Sequence, residues 1–315
     1  MKNKLVILLL IMFNIVWVSA ALTIFLNKDK KEETNELNIV TTFYPIYTIA
    51  NNLVTGIDHV NLINMTENAT GCLHDYQMTT NDMKKLENAD ILIMNGGGME
   101  SFIEDIAKTY PNLRIINASD GIQLIKEAKE ADEESVKKDD VKESEDYNAH
   151  VWLNMDKYQQ QIENVKNGLI KLDRKNKSLY EKNAKVYTSK INQLNQELKE
   201  TLYKPVNDKV IIFHDAFSYL AEELGIEVAY SVEIEADTSL SAGDIAKVID
   251  EIKRNNIKVL LTEKQYGDAI AKSIANETNA KVYTIDSLVS GKPDKDSYIN
   301  GMKKNIEVLK KALYE

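Results

Sequence analysis

Two blocks of short apolar strands alternating with amphipathic helices flank a stretch, Met155 to Tyr203, in which nearly every residue favours helix. No other feature restricts the fold as much. Buried strands alternating with helices imply parallel sheets with right-handed crossovers. In the first block LNIVTTF reads as a strand, and Pro45 then opens the helix PIYTIANNLV at its first position. HVNLIN, DILIMN and LRIINAS are further strands. Helices are expected in TTNDMKKLENA, behind a threonine cap, and in GMESFIEDIAKTY. The second block offers the strands DKVIIF, IEVAYSV, IKVLLT and KVYTI. Its helices are DAFSYLAEEL, closed by Gly225, then AGDIAKVIDEIKRNN, GDAIAKSIANET and a last one running to Tyr314.

Between the blocks, Tyr180, Val186, Ile191, Leu194 and Leu198 do not keep a strict heptad. That favours one long helix joining two lobes over a coiled coil. The chain divides accordingly into an N-terminal segment (1–36), an α/β lobe (37–154), a helical connector (155–205) and a second α/β lobe (206–315). The fold class is α/β, two parallel-sheet lobes joined by a long helix.

Composition removes several function classes. A formal charge of −10 gives no basic face for nucleic acid. Arginine occurs only at Arg114, Arg174 and Arg254, which leaves few candidates for bidentate phosphate or carboxylate clamps. Much of the acid lies between Glu127 and Asp146, where ten carboxylates face four lysines with no aromatic residue among them. Such a stretch reads as a solvated surface loop. The single cysteine, Cys72, can form no intramolecular disulfide and says nothing about redox compartment. The N-terminus says more. Lys2 and Lys4 precede an uncharged run from Leu5 to Leu26, which as a helix would span about 33 Å, enough for a bilayer core. It reads as a signal peptide, with small residues at Val18 and Ala20, or as an uncleaved anchor. In both cases the rest of the chain is exported.

Ligands of open parallel sheets bind beyond the carboxyl ends of the strands. His214 follows VIIF, Glu263 follows VLLT and Asp286 follows VYTI, so three potential metal ligands fall at one edge of the second sheet. The first block contributes His74 in TGCLHDY and His150 in YNAHVWLN. Histidines from both lobes with carboxylates from one make a nitrogen-rich, N3O-type donor set suited to zinc. His59, ahead of its strand, reads as an ordinary surface or core residue, and Cys72 as a neighbour of the site. NGGGME lacks the lysine and hydroxyl of a P-loop and reads as a tight turn. Trp152 and Tyr76 are expected to wall the cleft.

These residues stand in motifs that are specific in combination: GCLHDY with His74 and Tyr76, ADILIMNGGGME, NAHVWL with His150, FHDAFSYLAEELGI with His214, and TIDSL with Asp286. Over nearly the whole exported part, the chain resembles the zinc/manganese solute-binding proteins that serve ABC importers. The resemblance implies His74, His150, His214 and Asp286 as metal ligands, with the ion between the lobes. It also implies delivery to an ABC permease at the outer face of the cytoplasmic membrane or in the periplasm, by a monomer that is not an enzyme. Two departures from the family pattern stand out: no proline precedes His74, and no lipid-bearing cysteine follows the apolar run. Histidine at position 214, where manganese-specialised relatives look to carry a carboxylate, favours Zn2+ over Mn2+. The competing readings are a manganese-binding homologue, a surface adhesin of the same fold, and an exported zinc hydrolase with Glu263, Asp75 or Asp215 as base.

Overall fold

Strand β1 (Leu37–Thr41) runs into helix α1 (Tyr44–Leu53), where Pro45 sits in the first turn, as its fixed φ and missing N–H allow. Then come β2 (Val60–Asn64), α2 (Thr80–Glu87), β3 (Ile91–Met94), α3 (Ile103–Thr109) and β4 (Arg114–Asn117). Thr79 and Asp82 cap α2 reciprocally, each side chain accepting from the other's backbone N–H. The sheet order is β2-β1-β3-β4, with β1–β3 and β3–β4 parallel. Ile91, Leu92 and Ile93 of the inner strand β3 are completely buried.

The second sheet repeats the plan. It is built from β5 (Lys209–Ile212), α6 (Ser218–Leu224), β6 (Glu227–Ser231), α7 (Ala242–Asn255), β7 (Val259–Thr262), α8 (Asp268–Asn276), β8 (Lys281–Thr284) and α9 (Ser297–Tyr314). Its order is β6-β5-β7-β8, parallel throughout. In both sheets the winding reverses beside the first strand, which places a switch point between β1 and β3 and another between β5 and β7.

The computed structural model describes residues 36–66, 71, 76–126, 147–232, 240–263 and 267–315. The N-terminal apolar run, the acidic stretch 127–146 and the loop carrying Cys72, His74 and Asp75 lie outside the described residues. Among the described residues no helix is long and apolar enough to cross a membrane. Asn38–Glu315 is one compact unit.

Two helices fill the connecting stretch, α4 (Met155–Leu172) and α5 (Lys177–Thr201), with a short 3-10 turn at Arg174–Asn176 between them. The interruption is local. Asp173 leaves the helix at φ −130° and ψ 71°, and its Oδ2 accepts from Asn176 Nδ2 (2.7 Å) and from the Tyr180 hydroxyl (3.0 Å), bonds that brace the break. The buried face of α4 is Tyr158, Ile162, Val165 and Leu169; that of α5 is Tyr180, Ala184, Tyr187, Ile191, Leu194 and Leu198. Steps of three and four residues make each an amphipathic packing face. Val186, grouped with these positions on sequence, instead points out at 54% exposure. Helix α5 touches both lobes. Asn183 Nδ2 donates to Leu53 O and Thr55 O in the first, and Lys190 pairs with Asp296 at 2.7 Å in the second.

The start of α4 is held from the second lobe. Asn154 caps the helix by accepting from Lys157 N, while Glu223 Oε2 of α6 accepts from Met155 N at 2.7 Å. Glu222 adds bonds to Asn154 Nδ2 and Lys157 Nζ. Burial pushes the Glu223 carboxyl up to about 7, against the Met155 amide, which favours the ionised form. The folded chain therefore binds more protons here than the unfolded chain between about pH 4.5 and 7, so this residue's share of stability falls as pH rises through that window. Glu223→Gln keeps the acceptor and removes the titration. In metal-free protein the difference in unfolding free energy between the variant and wild type should grow by about 3 kcal/mol at most from pH 4.5 to 7.5. Denaturant melts at several pH values measure it, and parallel pH profiles for the two proteins would reject the role.

Candidate metal centre

At the carboxyl edge of the second sheet, β5 ends at Ile212 and the chain turns through His214 into a 3-10 turn, Asp215–Phe217. His214 is 9% exposed, and its Nδ1 lies 2.8 Å from Glu263 Oε2. Glu263 immediately follows the neighbouring strand β7, is 2% exposed, and takes the Ser287 hydroxyl on its other oxygen. The parallel register of β5 with β7 puts both residues at the second switch point. Glu263 therefore holds a histidine from behind.

From the first-lobe side, His150 opens the 3-10 turn Val151–Leu153 and is 4% exposed. Its Nδ1 and its backbone N each lie 2.9 Å from Asn148 Oδ1. The two imidazoles meet edge to face, centroids 4.9 Å apart at 84°. With Nδ1 of each ring directed at an oxygen acceptor, the tautomer that fits both carries its lone pair on Nε2, the nitrogen that binds a metal.

Asp286 stands two residues beyond β8 at the same edge. Its Oδ1 accepts from Leu288 N at 2.8 Å, and its backbone is clamped at both ends by Asn305. Burial raises its pKa; the Leu288 amide opposes the rise, and the nearby Glu263 carboxylate adds to it. Asp286 and Glu263 thus stand at one sheet edge, near enough for their charges to interact, and Glu263 is paired with His214. Among the described residues no three His, Cys, Asp or Glu side chains are grouped closely enough to hold an ion by themselves. His74, Cys72 and Asp75 lie outside the described residues.

Several sequence expectations land elsewhere. Trp152 does not wall a cleft: it is completely buried, donating from Nε1 to Ser287 O at 2.7 Å, with its ring 5.2 Å from that of His150. Tyr76 donates to Asp82 Oδ2 at the start of α2 and meets Phe102 edge-on at 6.0 Å. His59 is exposed, with φ at 66°, and remote in role from the site. NGGGME is a tight turn, with Gly96, Gly97 and Gly98 all at positive φ. Its first amides are already taken: Glu100, 3% exposed, accepts from Asn95 N, Gly96 N and the Thr42 hydroxyl. Burial raises the pKa of Glu100, and these three bonds oppose the rise. Sequence reasoning missed Asn148 and Ser287. Asn148, two residues before a histidine whose backbone N–H it accepts, was visible as an Asx turn.

Residues 39–312 match the family described as zinc-uptake complex component A, periplasmic. The chain is 30% identical to the high-affinity zinc uptake system protein ZnuA of Bacillus subtilis (strain 168) over 285 residues, 89% of this chain and 88% of that protein. It is 27% identical over 298 residues to the manganese ABC transporter substrate-binding lipoprotein PsaA of Streptococcus pneumoniae, 90% of this chain and 91% of that one. The solved structure of the solute-binding protein FpvC from Pseudomonas aeruginosa in complex with Mn2+ matches with a TM-score of 0.77 at 25% identity. That match covers 88% of this chain and 98% of the other. A match running from the first core strand into the last helix, over two like-wound sheets with paired imidazoles between them, leaves one assignment: this chain belongs to the periplasmic zinc-uptake component A (ZnuA) family of solute-binding proteins.

Proposed function

We propose that this chain captures one Zn2+ ion outside the cytoplasmic membrane with His74, His150, His214 and Asp286 and passes it to a membrane ABC permease. In this reading residues 1–36 export or tether a monomer, 37–154 and 206–315 are the ligand-bearing lobes, and 155–205 connects them. One observation carries the reading. Two buried imidazoles from different lobes stand 4.9 Å apart, each with Nδ1 against an oxygen. Imidazole nitrogen with one carboxylate suits zinc in tetrahedral coordination.

A manganese-binding role is the second reading, because PsaA is named for manganese. Position 214 supports zinc: an imidazole there keeps the donor set nitrogen-rich, and zinc outranks manganese on intrinsic affinity for such sites. Hydrolysis has less support. The family is one of binding components, and Glu263, the best-placed base, is already committed to His214 and Ser287.

Calorimetric titration of metal-free protein should give one saturable zinc site per chain, and its absence would overturn the proposal. Replacing His214 with glutamate exchanges a borderline nitrogen for a hard oxygen, so the Zn2+/Mn2+ affinity ratio should fall, by about tenfold or more. Competition titrations on both proteins read this, and an unchanged ratio would remove His214 from the ligand set. Binding requires neutral imidazoles, and free histidine has a pKa of about 6.5, so protons compete with the ion in acid. Apparent zinc affinity should be nearly flat above about pH 7.5 and fall steeply below about pH 6. A flat profile down to pH 5 would be incompatible with a histidine site.

A further inference from the structure

Asn148 is 1% exposed and uses its whole carboxamide. Nδ2 donates to Asp215 O at 2.8 Å and to Asp215 Oδ2 at 2.7 Å. Oδ1 faces the backbone N and the ring Nδ1 of His150, at 2.9 Å each. Asp215 is the residue after His214 and is itself pinned, its Oδ1 taking the Ser218 hydroxyl. A single side chain therefore touches one proposed ligand in the first lobe and the neighbour of another in the second.

The directions of these bonds follow from donor chemistry. Asp215 offers only acceptors, a carboxylate oxygen and a carbonyl, so the Asn148 atom facing them must be the NH2 group. The other end is then an oxygen, which already accepts from His150 N–H. An oxygen facing His150 Nδ1 requires a proton on that nitrogen and a lone pair on Nε2. An acidic residue of the second lobe thus fixes, through one amide, which nitrogen a first-lobe histidine presents. The bond pattern also ties the position of His150 to the segment that carries His214. The Tyr219 hydroxyl, donating to Asn148 O at 2.7 Å, adds a third tie to the same segment.

We infer that Asn148 is a positioning residue for metal capture: with Asp215 it forms an interlobe latch that sets the His150 tautomer and the spacing of the His150–His214 pair. This deepens the metal-binding reading above and rests on it. The latch has two separable functions, the acceptor toward His150 and the donor toward Asp215, and substitutions can divide them.

Asn148→Asp keeps the one oxygen that accepts from both His150 N–H groups but sets a carboxylate against the Asp215 carboxylate and carbonyl, so the tautomer survives and the tie across the lobes is lost. Asp215→Asn alone keeps an acceptor for Asn148 Nδ2. The reversed pair, Asn148→Asp with Asp215→Asn, restores the side-chain bond with its direction inverted, while the introduced carboxylate still faces the backbone carbonyl of residue 215. Partners that orient metal-binding histidines typically change affinity by 10- to 100-fold. Zinc affinity is therefore expected to drop about 10- to 100-fold in Asn148→Asp. It should stay within about threefold of wild type in Asp215→Asn and recover part of the loss in the reversed pair, since only the side-chain bond returns. Asn148→Ala, which removes both functions, should in addition shift the His150 nitrogen signals in 15N-histidine NMR of metal-free protein toward mixed tautomers, while Asn148→Asp leaves them in place. Failure of the reversed pair to recover affinity, or wild-type affinity in Asn148→Asp, overturns the latch. The NMR and thermal melts need no metal, so they test the bonds even if the wild-type chain binds no zinc, an outcome that would sink the metal reading instead. Should Asn148→Ala fail to fold, the Asn148→Asp and reversed-pair comparison still decides.

Discussion

The indole of Trp152 joins the two lobes at the place where the donors meet, and the rest of the centre is arranged around it. Its Nε1 donates to Ser287 O, its own carbonyl accepts from the Tyr298 hydroxyl at 2.7 Å, and the ring lies beside both Phe43 and His150. Fully burying an aromatic side chain is worth about 2–3 kcal/mol by transfer alone, and an indole N–H left without a partner would cost a further 1–3 kcal/mol. Both conditions are met only when Ser287 is in register with His150. Ser287 in turn donates to Glu263, which holds His214. One buried ring thus sets the position of imidazoles on both sides. Behind it, Tyr158 stacks on Tyr298 with ring centroids 3.9 Å apart and shares a hydroxyl bond with Tyr187, extending the same packed joint into α4 and α5. Burial raises the pKa of all three tyrosines, so the joint stays neutral across the working range.

The two sheets put a carboxylate to different uses at equivalent places. In the first, Glu100 at the switch point beside β1 and β3 satisfies the amides that open a three-glycine turn. In the second, Glu263 at the switch point beside β5 and β7 satisfies an imidazole and a hydroxyl. The contrast separates a carboxylate that serves its own turn from one that supports a proposed ligand. Glu100 is closed off by backbone donors that fix its charge inside the lobe, whereas Glu263 passes its charge to a ring whose other nitrogen can coordinate.

Strands and helices were legible because each has its own local pattern: apolar runs bounded by Pro45 or Gly225, a threonine cap, periodicity of three and four. The break at Asp173 was not, since the residues on both sides favour helix and the bonds that brace it, to Asn176 and Tyr180, are side-chain choices. His214 and Asp286 stood out as candidates because they follow strands of one parallel sheet, whereas His150 stood out only by its residue type and motif. Their supports did not. Trp152 finds Ser287 and Asn148 finds Asp215 across 135 and 67 residues of chain, and no periodicity encodes a contact of that range. Glu263 shows the intermediate case: its type and place were evident, but whether it binds a metal or holds a histidine depended on a 2.8 Å distance.

Such a division of labour bears on how a site of this kind can bind tightly and still empty. Ordering a side chain on binding typically costs about 0.5–1.5 kcal/mol, and that cost is small where the ring is already buried and hydrogen-bonded. His150 and His214 meet that condition: both are nearly inaccessible, their rings are in contact, and their Nδ1 atoms are engaged. Asp286 differs: it stands past the end of β8 and is exposed as a residue, while partial desolvation of its carboxyl and the Glu263 charge resist ionisation. An arriving cation therefore finds the nitrogen side of its shell prepared, and on the oxygen side relieves a repulsion that was there before it. On departure the same repulsion returns at Asp286, while the buried pair need not move. In the proposed site the nitrogen and oxygen donors are thus carried by different elements, the turns after β5 and at residue 150 on one hand and the segment after β8 on the other, so a prepared histidine pair and an exposed carboxylate can coexist.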